Sequence, residues 1–404
     1  MVVVLKGHSP VSAVKHVLER LRCSLCGSVF KTNPENLNPD KKYDESVAVS
    51  IVIAKYFAGI PLYRLEDWQD MVGVPLKDAT QWDLIEKLAD RIYPIFTRLH
   101  YLSAQGELLY NDDTTVKILS LMKENKTFEK GERRGMFTTG VVSEWEGRRI
   151  VLYLSGRRHS GENMTQIMSM RSPYLPTVIR MADALSSNMS KEFVETLCKC
   201  LAHGRRKFVE IYDFFPESCH FVIDILAHVY HNDAITKERT MSNQERLAYH
   251  QEHSAPQMEK LKKWLDDQIG SKKVEPNSSL GKAIQYLLNH WEGLTQFLRV
   301  AGAPLDNNIT ERMLKVIIRI RKNSLFYKTE HGASIGGMFS SIIQTCRENG
   351  INPFDYLMRL QENRSALFKS PDDWLPWNYH QTLEKRGLKS HSPPDLLGGS
   401  LLAA

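Results

Sequence analysis

Three acidic residues, far apart along the chain, have the surroundings that a divalent-cation site requires. Asp112 and Asp183 each end an apolar run that predicts a buried strand, and Glu311 lies near the start of a predicted helix. Mg²⁺ and Mn²⁺ prefer carboxylate oxygens, and two such ions can activate an attacking hydroxyl and stabilise a leaving oxygen in phosphoryl transfer. Because clustered acids repel one another unless cations neutralise them, the three residues together predict a two-metal site.

The segment LDNNITERMLK, residues 305–315, sets the direction of Glu311. Short side chains suited to cap a helix come first, and they are Asp306, Asn307 and Asn308. The predicted helix runs to about residue 321 and carries one apolar stripe, formed by Met313, Val316, Ile317 and Ile320. Glu311 lies about 180° from the centre of this stripe. It therefore either pairs with Lys315 on a solvated face or meets the two aspartates as the third metal ligand.

The elements that would position these acids begin at about residue 106. The runs GELLYNDDTTVKIL and PTVIRMADAL predict strands, and MFTTGVVSEWEGRRIVLYLSG predicts a hairpin that turns at Glu146-Gly147. A helix is predicted for SKEFVETLCKCLAH. This order suits an α/β fold in which helices flank a mixed sheet. Asp113 would point to the opposite face of the strand from Asp112, which favours a structural role beside the metal site.

Helical segments surround this predicted sheet. Residues 36–104 carry apolar side chains at helical spacing, and they form either a helix-turn-helix-like DNA-binding region or plain core. A charged, almost wholly helical segment at about 212–300 predicts an insertion before the helix of Glu311. A C-terminal helical region is predicted at 351–387, and the Pro/Gly/Ser-rich tail at 388–404 is predicted to fray.

Six cysteines in a chain of 404 residues form no disulfide framework, which favours a reducing compartment. Cys23 and Cys26 have the spacing of two Zn²⁺ ligands, but a structural zinc site needs four. The region 1–35 therefore holds either a working zinc site or a truncated, inert knuckle. Cys198-Lys-Cys200 has the wrong spacing for such a knuckle and falls within the predicted helix.

Basic residues concentrate in the motif HGRRKF and along the helix of Glu311 into RIRKNSLF, and the formal net charge is +6. Guanidinium groups bind phosphates in bidentate fashion, although a solvated basic turn is the alternative for the first motif. The predicted DNA contacts are His203, Arg205, Arg206, Lys207, Arg312, Lys315, Arg319, Arg321, Lys322 and Asn323. No stretch approaches the roughly 18 apolar residues that span a bilayer, so the sequence predicts a soluble cytoplasmic protein without a membrane partner.

Several sequence blocks occur in the order typical of one family. They are NDDTTVKIL, CLAHGRRKF, LGKAIQYLLNHWEGL, LDNNITERMLKVIIRIRKNSLF, GASIGGMFSSIIQTCRENGINPFDYL and DDWLPW. With these blocks the chain closely resembles transposases of the insertion sequence 66 family, over roughly residues 20–380. The resemblance implies a DDE-class enzyme with an RNase H-like catalytic domain, here at 105–350. Such an enzyme cleaves the ends of an insertion sequence and joins the freed 3′-hydroxyl to target DNA.

The resemblance also implies roles for the three acids. Asp112 matches the first aspartate of the family's Asp-Glu-Thr block, with Asp113 where the family has glutamate. Glu311 matches the terminal glutamate, and its Asp-Asn-Asn prefix is intact. Asp183 matches the middle aspartate, although RMADALSSN stands where the family usually has Asp-Gly-Tyr. The implied cofactors are two Mg²⁺ or Mn²⁺ ions. The implied partners are terminal inverted repeats, target DNA, further copies of the chain and accessory proteins of the same element, in a bacterial cytoplasm with nucleoid association on DNA.

Two other functions remain open on the sequence. A degenerate or truncated copy that binds DNA without cutting it fits the incomplete zinc knuckle and the altered surroundings of Asp183. An RNase H-fold nuclease without strand transfer would carry the same acids.

Overall fold

The computed structural model describes residues 10–31, 42–183 and 193–388. The chain divides into two compact units. One comprises the chain up to Ile95, the stretch Lys322–Leu325 and the chain from Gly350 onward, and the other comprises Phe96–Arg321 and Phe326–Asn349. The tail predicted to fray lies outside the described residues, apart from Leu388.

Helices predominate, and most of the strands belong to one sheet. The strands are β1 (Arg20–Arg22), β2 (Val29–Lys31), β3 (Leu108–Thr115), β4 (Phe137–Trp145), β5 (Arg148–Gly156), β6 (Val178–Ala182) and β7 (Glu195–Lys199). The first helices are α1 (Glu45–Val52), α2 (Leu62–Met71), α3 (Asp78–Ala104), α4 (Leu119–Glu124), α5 (Ser160–Met168), α6 (Leu201–Val209), α7 (Pro216–Glu238) and α8 (Asn243–His253). The later helices are α9 (Ala255–Gly270), α10 (Ser279–Asn289), α11 (Trp291–Leu294), α12 (Asn308–Ser324), α13 (Glu330–Glu348), α14 (Pro353–Glu362), α15 (Arg364–Lys369) and α16 (Tyr379–Lys385). A π-helical segment at Ile53–Phe57 and 3₁₀ segments at Gln296–Leu298 and Pro371–Trp374 complete the set.

The unit that contains both ends of the described chain is helical apart from the short β1–β2 pair. Asp44 caps α1 by accepting the backbone N–H of Ser46 at 2.8 Å. The helical run ends at Gly59, whose φ of +78° few other residues adopt, and α2 restarts after Pro61. The helical periodicity predicted for this part of the chain is therefore confirmed.

The other unit is built on a five-stranded mixed sheet in the order β5-β4-β3-β6-β7. The strands β3, β6 and β7 are parallel to one another, whereas β4 is antiparallel to both β3 and β5. The hairpin turn between β4 and β5 lies at Glu146 and Gly147, with φ values of +49° and +72°. Positive φ at both central residues is typical of the tight turns that match strand twist. The mixed sheet and its hairpin are thus confirmed.

The helix predicted for SKEFVETLCKCLAH, whose first three residues lie outside the described residues, is wrong over its central part. The residues Glu195–Lys199 form β7, which pairs in parallel with β6, and α6 begins only at Leu201. Arg180 of β6, fully buried, donates to both carboxylate oxygens of Glu195, at 2.6 and 2.5 Å. Pairing with a strand distant in sequence therefore decides the conformation here, where local periodicity favoured a helix.

The outer edge of β5 is covered by α13 instead of a further strand. Ser341 accepts the N–H of Tyr153 at 2.9 Å, and Thr345 accepts the N–H of Val151 at 3.0 Å. Asn349 completes the series by donating to the carbonyl of Arg149 at 2.7 Å. Ser341, Thr345 and Asn349 recur every four residues, so one face of the helix satisfies the backbone groups of the edge strand.

One face of the sheet carries the main core of this unit. Side chains of α6, α7, α9, α10 and α12 pack there against alternate strand residues, among them Tyr110, Met181 and Cys198. The predicted stripe of α12 is confirmed, since Met313, Ile317 and Ile320 are buried in this core and Val316 is half-buried against it. The helical periodicity predicted at 212–300 is also confirmed, and its helices supply much of this core.

Candidate active site

Five residues form a row across the sheet, three on strands and two directly after strands β6 and β7, and we call this set the transverse row. Tyr153 of β5 is in register with Gly140 of β4, and Gly140 is in register with Asp112 of β3. The last paired residue of β6, Ala182, aligns with Asn111 of β3 and with Lys199 of β7. The next residue along each of these parallel strands is Asp112, Asp183 and Cys200, respectively. Since residues in register share a face, Asp112 and Asp183 lie on the same face of neighbouring strands, whose usual spacing is about 4.8 Å.

The environment of Asp112 disfavours its negative charge. The pKa of Asp112 is raised to about 7; burial is the largest cause, and the nearby charges of Asp183, Asp113 and Glu311 act in the same direction. The N–H of Asp113 acts in the opposite direction by donating to Asp112 at 2.8 Å. The two other acids predicted for the metal site are therefore close enough to Asp112 to affect its ionisation.

The helix α12 is anchored directly above the row. Gly140 permits this approach, because a Cβ atom there would lie 2.8 Å from Leu314 Cδ2. The hydroxyl of Tyr153 donates to the carbonyl of Met313 at 2.8 Å. At the start of the helix, the side chain of Asn307 donates to the carbonyl of Asn111 at 3.1 Å, immediately before Asp112 on β3. Contacts with β3, β4 and β5 thus fix where the first turns of α12 lie.

Asp306 and Asn307, directly before α12, have different roles at the start of the helix. Asp306 accepts from both the backbone N–H and the side-chain amide of Asn308, at 3.1 and 2.7 Å. Asn307 has turned away from the helix and binds β3 instead. Asp306 is therefore the capping side chain, and Asn307 is the anchor to the sheet.

Glu311 faces α6 and not a solvated surface shared with Lys315. Its carboxylate lies 3.7 Å from His203 Nε2 and 3.9 Å from Arg206 Nη2, and its side chain is 25% exposed. Within the part of the chain that the structure describes, the buried atoms without a hydrogen-bond partner include several around the first turn of α12, namely Glu311 Oε1, Thr310 Oγ1, Asn307 Oδ1 and His203 Nδ1. Buried polar atoms without a partner are rare in folded proteins and mark sites that bind a ligand, ion or water.

Asp113 lies on the face of β3 opposite to Asp112, as the strand alternation predicts. Its carboxylate accepts the hydroxyl of Thr139 at 2.6 Å and the N–H of Ser160 at 2.8 Å, and it lies 3.4 Å from His159 Nδ1. These contacts attach the start of α5 to the sheet. Asp113 therefore has a structural role on the face of the sheet opposite to Asp112.

Cys200 closes the row at its β7 end and precedes α6 as its N-cap residue. Its Sγ accepts the N–H of Asn307 at 3.3 Å. Burial raises the pKa of the Cys200 thiol to about 11, and the N–H groups of Asn307 and His203 offset part of that effect. Among the described residues, the group of three or more Cys, His, Asp or Glu side chains that could hold one ion is Cys200, His203 and Glu311.

The ten predicted DNA contacts have several different environments. Arg205 and Arg206 are exposed and line a pocket of about 580 Å³, whereas Lys207 lies 4.6 Å from the ring centroid of Tyr286. Arg321 donates to the hydroxyls of Thr114 and Thr115 at 3.1 and 3.0 Å. Asn323 donates to the carbonyl of Gly59 at 3.0 Å. The remaining cations of α12 are exposed, namely Arg312, Lys315, Arg319 and Lys322.

Cys23 and Cys26 flank a tight turn between β1 and β2. Gly27 has a φ of +72° there, and its N–H donates to the carbonyl of Cys23 at 2.9 Å. Hydrogen bonds with Ser28, from its side chain and then its backbone, lower the pKa of Cys26 to about 7. No third Cys, His, Asp or Glu joins the two thiols within residues 10–31, 42–183 and 193–388. A zinc site at these cysteines stays a prediction.

Three members of the site escaped the sequence analysis. Tyr153 and Gly140 sit in unremarkable strand patterns, and only the sheet register reveals that they flank Asp112. Cys200, like Cys198, falls in a run whose pattern predicts a helix, so local sequence does not place it beside Asp112. The signal that could have found it is the spacing Cys200-x-x-His203 at a strand-to-helix junction.

The chain is an α/β protein in which a polar site forms at the ends of parallel strands. Two acids lie at the ends of neighbouring strands, and the helix that faces them carries a third acid. Comparison with known proteins identifies the family. The sequence model described as "Transposase IS66 family" matches residues 41–335. The chain therefore belongs to the IS66 transposase family.

Curated relatives of the chain come from Sinorhizobium fredii strain NGR234. "Uncharacterized protein y4jD" is 28% identical over 347 residues, which cover 83% of this chain and 66% of that protein. "Uncharacterized protein y4hP" is 24% identical over 392 residues, which cover 91% of this chain and 68% of that protein. The chain thus spans about two thirds of the length of these relatives.

None of the helices in the described ranges is both long enough and apolar enough to cross a membrane.

Proposed function

We propose that this transposase is a DDE-type enzyme with an RNase H-like catalytic domain, which cleaves insertion-sequence ends and joins them to target DNA. The observation that carries the proposal is the transverse row, with Asp112 and Asp183 on neighbouring parallel strands and Glu311 near enough to raise the pKa of Asp112. Membership of the IS66 family supports DNA as the substrate. The mixed five-stranded sheet supports the RNase H-like assignment.

The residues of the row fit divalent cations. The three acids repel one another, and Glu311 Oε1 has no hydrogen-bond partner among the described residues. A hard cation would be a suitable ligand for this set of oxygen donors. When bound, two Mg²⁺ ions would activate the attacking hydroxyl and stabilise the leaving oxygen. Asp112 and Asp183 would hold the ions from the sheet, and Glu311 would hold them from α12. Tyr153, Gly140 and Asn307 would keep that helix at a fixed height above the sheet.

The basic residues around Glu311 suit a phosphate backbone. His203 and Arg206 lie on the side of α6 that faces the carboxylate, where they would orient it and add positive charge beside the reacting phosphate. Arg205, Arg312 and Lys315 are exposed and free to reach DNA without competing with the fold. Arg321 and Asn323 would act mainly by anchoring the end of α12, because each already binds the backbone of its own unit.

The test is cleavage of a DNA duplex that carries the end of the element in which the gene lies. We expect Mg²⁺-dependent nicking by the parent chain and a loss of at least about 10²–10³-fold in Asp112→Asn and Glu311→Gln, because each removes a group aimed at the reacting charge. Glu252→Gln is the matched control, since that side chain is 77% exposed on α8. It should cleave like the parent.

The products separate the proposed transposase from its two alternatives. Joining of the freed 3′-hydroxyl to a second duplex supports the transposase, whereas cleavage without joined products would leave an RNase H-fold nuclease. Binding of the end duplex without cleavage in any metal would identify a degenerate copy. Asp183→Asn tests the middle acid of the triad, and its loss of cleavage should match that of Asp112→Asn.

A further inference from the structure

A cluster of three side chains that could bind a metal ion adjoins the transverse row. The ligand atoms of Cys200, His203 and Glu311 all lie within 4.8 Å of one another. Two of the three come from one strand-to-helix junction, where Cys200 precedes α6 and His203 lies three residues later, and Glu311 approaches from α12. A thiol, an imidazole and a carboxylate make a different donor set from the all-oxygen set of Asp112 and Asp183.

The spacing of these atoms suits tetrahedral coordination. Zn²⁺ bonds to sulfur at about 2.3 Å and to nitrogen or oxygen at about 2.0–2.2 Å, so its ligand atoms lie roughly 3.3–3.7 Å apart. His203 Nε2 and Glu311 Oε1 are 3.7 Å apart. Little movement is therefore needed for both to bind one ion.

Unpaired buried atoms at this place point independently to a ligand. Cys200 is 1% exposed, and Glu311 Oε1, one of the proposed ligand atoms, is buried without a hydrogen-bond partner among the described residues. Asn307 is fully buried; its N–H binds Cys200 Sγ while its Oδ1 has no partner among those residues. Second-shell groups of this kind orient metal ligands in proteins.

We propose that Cys200, His203 and Glu311 bind a thiophilic divalent cation such as Zn²⁺, at a site that shares Glu311 with the proposed Mg²⁺ centre. Binding replaces the thiol proton, which passes to solvent, by a sulfur–metal bond. Three protein ligands leave the fourth tetrahedral position for water.

The shared glutamate gives the site a regulatory consequence, which rests on the proposed function. A carboxylate held by Zn²⁺ beside α6 is withdrawn from the Mg²⁺ ions over Asp112 and Asp183. Zn²⁺ should therefore inhibit Mg²⁺-supported cleavage by the parent, and it should inhibit the Cys200→Ser variant less.

The direct test is Co²⁺ titration of the full chain, because Co²⁺ reports thiolate coordination through a charge-transfer band and tetrahedral geometry through its visible bands. The titration uses a Cys23→Ser/Cys26→Ser background, which removes the exposed thiol pair near the N-terminus. We expect one equivalent of tetrahedral Co²⁺ with a thiolate band. Cys200→Ser should abolish that band, and His203→Ala should weaken Co²⁺ binding by at least about tenfold.

Cys198→Ser is the matched control. Cys198 lies two residues earlier on the same face of the sheet, is fully buried, and is outside the proposed ligand group. It should keep the thiolate band, with folding of each variant checked by circular dichroism. A folded background protein that shows no thiolate band, or an equal band in Cys200→Ser, would overturn the proposal.

The two proposals fail separately. If Co²⁺ binds as expected but no variant or parent cleaves DNA, the mixed-donor site stands and the DDE assignment falls. If cleavage requires Asp112 and Glu311 but Co²⁺ binding does not depend on Cys200, the catalytic assignment stands and the mixed-donor site falls.

Discussion

Asp112 and Asp233 are both largely buried aspartates of the same unit, but their neighbours carry opposite charges. Asp112 lies in the sheet among Asp113, Asp183 and Glu311, and burial together with these acids raises its pKa to about 7. Asp233 of α7 is 3% exposed and lies 2.6 Å from Lys237 Nζ and 2.8 Å from Arg246 Nη2. Burial alone would raise the pKa of Asp233, but the adjacent side chains of His250 and Lys237 and the charge of Arg246 lower it below its usual value.

The comparison shows that burial does not decide what a carboxylate does; its neighbours do. The charge of Asp233 is neutralised by side chains of its own chain, so that residue joins α7 to α8 as part of the fold. The negative charge of Asp112 is repelled by other acids of its own chain, and a bound cation would offset this repulsion. The first arrangement stabilises a fold, and the second keeps a site ready for a ligand.

The largest expected effect on folding comes from Asp233→Asn. Removing its charge leaves Arg246 and Lys237 without their shared anion, so the free energy of unfolding should fall by about 3 kcal/mol. Thermal and urea unfolding would measure the loss, with Asp224→Asn as the control on an exposed part of α7. Equal stability of the two variants would contradict a clamp at Asp233.

The next largest expected effect is on stabilisation by Mg²⁺, which should differ between variants of the two aspartates. At 100 times its dissociation constant, an ion that binds only the folded state stabilises it by about 2.7 kcal/mol. The parent and Asp233→Asn should both gain this stabilisation, whereas Asp112→Asn should lose most of it. Melting curves with Mg²⁺ and with chelator give the answer, and an undiminished gain in Asp112→Asn would remove Asp112 from the metal site.

A smaller effect is expected at Gly140, which lets α12 approach Asp112. In Gly140→Ala the new methyl group would collide with Leu314, at a cost of about 1–3 kcal/mol, and it would displace Glu311. Gly156→Ala on the partner strand is the control, because nothing lies within 4 Å of a Cβ there. We expect reduced stability and slower cleavage only in the first variant. Parent-like behaviour of both would show that the height of α12 is unimportant.

The smallest effect is a pH dependence of opposite sign for the two residues. Because the folded pKa of Asp112, about 7, exceeds its unfolded value of about 4, metal-free protein should lose stability as pH rises from about 4 to 7. Asp112→Asn should flatten that slope and be more stable by about 1–2 kcal/mol at pH 8. Asp233 contributes stability above about pH 4, and that contribution is lost as pH falls further. Melting temperatures across pH in chelator would check both directions.

Local patterns predicted most of the elements but not their pairing. Alternation and turn chemistry located β3, the hairpin at Glu146-Gly147 and β6, and helical spacing located α12. The same local rules assigned β7 to a helix, since five residues of an edge strand carry little periodicity of their own. Its partner is β6, and the ion pair of Glu195 with Arg180 crosses between them.

The sequence by itself determined which acids, caps and apolar stripes exist, and its ordered blocks pointed to the IS66 family. Only the tertiary structure decided that Asp112, Asp183 and Cys200 align across three parallel strands, because register depends on packing between residues far apart in sequence. The same holds for Glu311. Its helix could be predicted from periodicity, but its neighbours His203 and Arg206 come from α6, about a hundred residues earlier in the chain.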